Sequence, residues 1–133
     1  MEGPLEVLER RRRALLDGDM EAFAGLFAED GVLEMPFVVD GLPSRLEGRE
    51  AIREFSTSAG GIPFEVVELR TVQVHQTSDP EVVILELVSV ARLTTTGETF
   101  EVPCIQVFRI RDGRIVLFRD YVGANALPDV TAA

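Results

Sequence analysis

Apolar and polar positions alternate most regularly over residues 100–123, where FEVPCIQVFRI and RIVLFRDYVG flank an Asp112-Gly113 pair. Alternation with period two predicts strands, and Asp-Gly between two such runs predicts a tight hairpin. On the first strand Val102, Cys104, Gln106, Phe108 and Ile110 share one side. On the second, Val116, Phe118, Asp120 and Val122 share a side, opposite to Ile115, Leu117, Arg119 and Tyr121. Turning both apolar sets toward one interior carries Gln106 and Asp120 in with them. A carboxylate in such a place costs on the order of several kcal/mol unless it is paired or neutral. Asp120 is therefore the leading candidate for chemistry.

The rest of the chain alternates between helical and strand periods. Leu5, Leu8, Leu15 and Leu16 recur at helical spacing, which predicts a helix over 5–16. Within it the arginine run 10–13 reads as a solvated face, partly neutralised by Glu2, Glu6 and Glu9. Asp17-Gly18-Asp19 ends that helix, and Asp19 caps a second one carrying Met20, Phe23, Leu26 and Phe27. A short strand follows at 32–37, which Pro36 confines to an edge or terminates. Residues 38–46, with Gly41 and Pro43, read as a loop long enough to act as a lid. A third helix spans 48–59, stopped by Gly60-Gly61. Four strands at 64–76, 82–94, 99–110 and 114–122 complete an antiparallel meander. This order predicts one α+β domain over residues 1–133, ordered over about 5–125, with three N-terminal helices packed against a curved antiparallel sheet.

Composition narrows the partners. The chain has 133 residues, 46% of them hydrophobic, enough for one real core. A net charge of -10 argues against nucleic acid and against an anionic membrane surface. All 13 basic residues are arginine, so Schiff-base chemistry on a lysine is excluded. One cysteine and one histidine do not make a zinc site of the usual Cys/His kind, and no metal or other cofactor is expected. The apolar runs are of strand length and no leader pattern opens the chain, so a cytoplasmic protein is expected.

Several segments, in order, resemble one superfamily. They are Gly18-Asp19, then LFAEDGVLEMP over 26–36, Gly48 with AIREF over 51–55, and finally GRIV over 113–116 with Arg119-Asp120-Tyr121. Residues 5–125 resemble the nuclear-transport-factor-2-like superfamily, and within it the SnoaL-like polyketide cyclase and ketosteroid isomerase-like proteins. The resemblance implies a cone-shaped α+β barrel with a deep internal pocket, commonly in a homodimer. It also shows which isomerase residues are missing. The base aspartate of ketosteroid isomerases falls at Met35, their oxyanion tyrosine near Arg11, and their protonated second aspartate at about Gln106. SnoaL-like cyclases resemble this chain in carrying an inward acid on the last strand, and Asp120 is the matching position.

The expected site is accordingly Asp120 as general base and Gln106 as an electrophilic partner, in a pocket of Phe23, Phe27, Met35, Phe37, Phe55, Cys104, Phe108, Phe118 and Val122. A small apolar carbonyl compound is the expected ligand. The bland alternative for Asp120 is an ion pair with an arginine such as Arg92 or Arg109, or a place in water at the barrel mouth, and in a ligand-binding or assembly module it would be a structural ion pair. An epoxide hydrolase-like relay would need Asp120 with Arg92 and Glu86, and the face pattern turns Glu86 outward. His75 is expected at a solvated rim, Cys104 as inert packing, and Tyr121 on the outer sheet face or in a dimer contact.

Overall fold

A computed structural model describes residues 2–37, 42–58 and 64–123. Three helices, α1 (Pro4–Asp17), α2 (Met20–Gly25) and α3 (Arg49–Thr57), are set among six strands. The strands are β1 (Phe27–Glu34), β2 (Arg45–Glu47), β3 (Phe64–Gln76), β4 (Val82–Leu93), β5 (Thr99–Arg111) and β6 (Arg114–Val122). They form one curved, unclosed sheet in the order β2-β1-β6-β5-β4-β3. The meander from β3 to β6 is antiparallel, as the sequence predicts, whereas β1 runs parallel to β6 and makes the sheet mixed.

Local chemistry explains most boundaries. Gly18, at φ 69, closes α1 in the left-handed region, and the Asp19 side chain accepts from Ala22 N at 3.0 Å to start α2. Asp112 and Gly113 both have positive φ (53 and 75), the pair a two-residue type I′ hairpin requires. The second helix is shorter than its apolar spacing predicts. Leu26 ends it, and Phe27 already belongs to β1, where it pairs with Ile115. Gly31 allows the parallel pair to close, because a Cβ there would lie 2.8 Å from the Ile115 carbonyl oxygen. The predicted lid segment holds strand β2, paired with β1 through Leu33 and Leu46, and its residues 38–41 lie outside the described ones. The Gly60-Gly61 stop and the tail after Leu127 also lie outside them.

One irregularity re-phases the last strand. Gln106 faces Asp120 and Phe108 faces Phe118, but Ile110 faces Ile115, so Val116 is an extra residue in β6. Ile115 is consequently fully buried, not outward as strict alternation from Asp120 predicts. The core lies between the helices and the concave sheet face. There α1 crosses β3, β4 and β5, while α3 packs on α2 and β1. No helix among the described residues is long and apolar enough to cross a membrane.

Candidate functional site

Strands β5 and β6 place Gln106 and Asp120 opposite each other, and α1 places Arg11 above them. Arg11 Nη2 donates to Gln106 Oε1 at 2.5 Å, and Gln106 Nε2 donates to Asp120 Oδ1 at 3.2 Å. This order sets the amide orientation. The reverse would face N–H groups against a guanidinium and an oxygen against a carboxylate. Among the described residues no donor reaches the other Asp120 oxygen.

The surroundings are apolar. Phe108 and Phe118 stack at 4.6 Å, and the Arg11 guanidinium carbon stands 4.9 and 5.0 Å from their centroids. Burial pushes the Asp120 carboxyl up to about 6, against the opposing pull of the Gln106 hydrogen bond and the Arg11 charge. Burial likewise pulls Arg11 down to about 10, with Asp120 acting in the other direction. Arg11 is only 3% exposed and its Nε has no hydrogen-bond partner among the described residues. Cation–π contacts contribute about 0.5–2 kcal/mol each and a charged hydrogen bond about 1.5–3 kcal/mol. Desolvating a guanidinium costs roughly several kcal/mol, so these contacts do little more than offset the burial of Arg11.

A cavity of about 190 Å³ opens beside the three polar groups. Of the expected lining residues, Phe23, Met35, Phe55, Cys104, Phe118 and Val122 stand on its wall with Gln106 and Asp120. Three do not. Phe27 is fully buried in the core, held there by the β1–β6 pairing and edge-on to Phe23 at 5.4 Å. Phe108 is fully buried beneath Arg11. Phe37 is 56% exposed and packs edge-on against Tyr121 at 5.6 Å on the outer sheet face, because the chain has already left the sheet at Met35.

The remaining candidates fall as follows. Arg92 pairs with Glu65, and Arg109 with Asp79 and Glu81, so neither reaches Asp120. Glu86 points outward and meets His75 Nε2 at 2.5 Å, so no Asp120–Arg92–Glu86 relay assembles. Gln106 gives one of its two amide N–H groups to Asp120 and accepts from Arg11 on its oxygen. Burial pushes the Cys104 thiol up to about 12, as inert packing requires. Among the described residues no three His, Cys, Asp or Glu side chains gather as metal ligands.

Arg11 is the residue that sequence reasoning missed. The buried stripe of α1 is Val7, Leu8, Arg11 and Ala14, with Arg11 four residues from Val7 and three from Leu8 and Ala14. That spacing was visible; its place within an arginine run disguised it.

Comparison with known proteins agrees with this architecture. A family model described as a SnoaL-like domain matches residues 8–118. An uncharacterised PhzA/B-like protein of Pseudomonas aeruginosa is 35% identical over 120 residues, which cover 87% of this chain and 81% of that one. A solved structure of a Bacillus subtilis protein, provisionally named an isomerase, superposes with a TM-score of 0.80 at 30% identity, covering 89% of this chain and 84% of that one. The Δ5-3-ketosteroid isomerase of a Mycobacterium species shares the fold at a TM-score of 0.78 and 22% identity, with 96% and 98% coverage.

Proposed function

This chain belongs to the SnoaL-like domain family, and from that premise we propose that it is a small cofactor-independent enzyme using Asp120 as general base on an apolar carbonyl compound. The observation that carries the reading is the Asp120 carboxyl, raised to about 6 by burial yet open to the cavity. A base works best when its pKa lies near the working pH, and an ordinary surface aspartate is far too weak. Asp120 would take the proton α to the carbonyl on its unengaged oxygen. Gln106 is a positioning residue that holds the carboxylate by its other oxygen. The reaction class is isomerisation, cyclisation or a related proton transfer, and the cavity favours a compact apolar substrate.

A test is deuterium exchange into the α position of a compact aryl ketone such as 1-indanone, followed by NMR. The expected rate exceeds that of buffer, rises with pH through about 6 as Asp120 ionises, and is lost in Asp120→Asn. Exchange that persists in that variant overturns the base assignment. A non-catalytic binding module is the second reading, favoured by the fact that Gln106 is already engaged on both sides. Binding of the ketone without exchange selects it.

We place this enzyme in the cytoplasm as a homodimer joined through the outer sheet face. Phe37, Val72 and Ile105 leave 56%, 63% and 48% of their surface exposed around a groove that Tyr121 also lines. An exposed apolar patch of this kind suits burial against a second copy.

A further inference from the structure

Arg11 is a buried cation whose single hydrogen bond, among the described residues, goes to a neutral amide oxygen. It is 97% buried by its 3% exposure, lines the cavity, and leaves its Nε without a partner. A guanidinium carries five donors in a planar fork suited to oxyanions. Its nearest negative charge, Asp120, is separated from it by the whole Gln106 amide. Nothing in the core requires the charge, since the contacts it makes are balanced by its desolvation.

We propose that Arg11 is the oxyanion site of this cavity, and that the cavity binds aryl carboxylates together with one proton on Asp120. The inference rests on the reading of the cavity as the ligand site and adds the group that receives negative charge there. The charge count leads to it. With Arg11 cationic and Asp120 anionic, the empty cavity is neutral overall. Proton abstraction from a ketone moves a proton to Asp120 and a negative charge to the substrate oxygen, and the cavity with its ligand stays neutral. A carboxylate that enters while Asp120 takes a proton from solvent reproduces this charge state. Without that proton the site would hold an unbalanced negative charge away from water, which is costly. An aryl carboxylate is therefore a mimic of the enolate intermediate, with Arg11 facing its oxygen.

Titration calorimetry with benzoate and 2-naphthoate, each against its neutral amide, tests the proposal. Runs at pH 5.5, 7.0 and 8.0, in buffers of different ionisation enthalpy, count the protons taken up. Carboxylate is expected to bind at least tenfold tighter than amide at pH 5.5 and to take up close to one proton at pH 7.0. Its affinity should fall about tenfold per pH unit above the Asp120 value. Asp120→Asn should bind carboxylate without proton uptake and without that pH dependence. Arg11→Met should lose the preference for carboxylate while still binding the amide. If Arg11→Met does not fold, the wild-type comparison decides alone. Amide binding equal to carboxylate, or carboxylate binding with no proton uptake, overturns the oxyanion site and leaves the cavity reading intact. If neither compound of either pair binds, the cavity reading falls and this inference falls with it.

Discussion

Replacing Asp120 by asparagine should make the protein more stable at neutral pH, although it removes the partner of a buried arginine. The carboxyl has a folded value of about 6 against an ordinary 3.8. That difference corresponds to about 3 kcal/mol of resistance to ionisation, since each pKa unit is worth about 1.4 kcal/mol. The sign follows from proton binding. Between about pH 4 and 6 the folded state holds a proton that the unfolded chain has released, so stability falls as pH rises through this window and then levels. The stabilising contribution is complete below the unfolded value and lost above the folded one. Asparagine keeps the oxygen that accepts from Gln106 and has no charge to desolvate. At pH 7 the variant should therefore gain up to about 3 kcal/mol over the parent, with the gap closing toward pH 4. The attraction between Arg11 and Asp120 is already contained in the net shift, in which desolvation outweighs it. Urea unfolding of both proteins at pH 4.5, 6 and 7.5 measures the gap directly. If Asp120→Asn instead loses about 3–5 kcal/mol at pH 7, the carboxylate is the anionic half of a buried pair. The raised-base reasoning would then be refuted.

Three further outcomes follow from named contacts. Ile105→Glu places a charge in the apolar outer groove beside Glu86, and should convert a wild-type dimer to a folded monomer in sedimentation velocity; a wild-type monomer at micromolar concentration contradicts the proposed interface. Cys104, pushed up to about 12 and 8% exposed, should resist iodoacetamide at pH 8 until the protein is unfolded, and mass spectrometry of the native protein reads this. Gly31→Ala brings a Cβ to 2.8 Å from the Ile115 carbonyl oxygen and 3.0 Å from that of Ala28, where backbone must move. Thermal unfolding should show a loss of about 1–3 kcal/mol, and an unchanged midpoint would mean that β1 and β6 separate freely.

The meander and its hairpin were legible because each depends on neighbours in sequence. Period-two alternation set the faces of β4 and β5, and Asp112-Gly113 supplied the two positive φ values that the turn needs. The inward face shared by Gln106 and Asp120 was read from the apolar alternation of each strand, but the turn by itself would set Gln106 opposite Arg119, and it is the extra residue Val116 that brings Asp120 opposite it. Three features were decided only in three dimensions. The extra residue Val116 buries Ile115, and a bulge leaves no mark in an alternating sequence when both candidates are apolar. The parallel pairing of β1 with β6 joins segments more than eighty residues apart, through a glycine whose need is visible only against the Ile115 carbonyl. Arg11 meets Gln106 across 95 residues of chain. Local sequence reports charge and spacing but not which surface lies over a helix. Only the docking of α1 across β3, β4 and β5 turned one arginine of a run of four from solvent to the cavity.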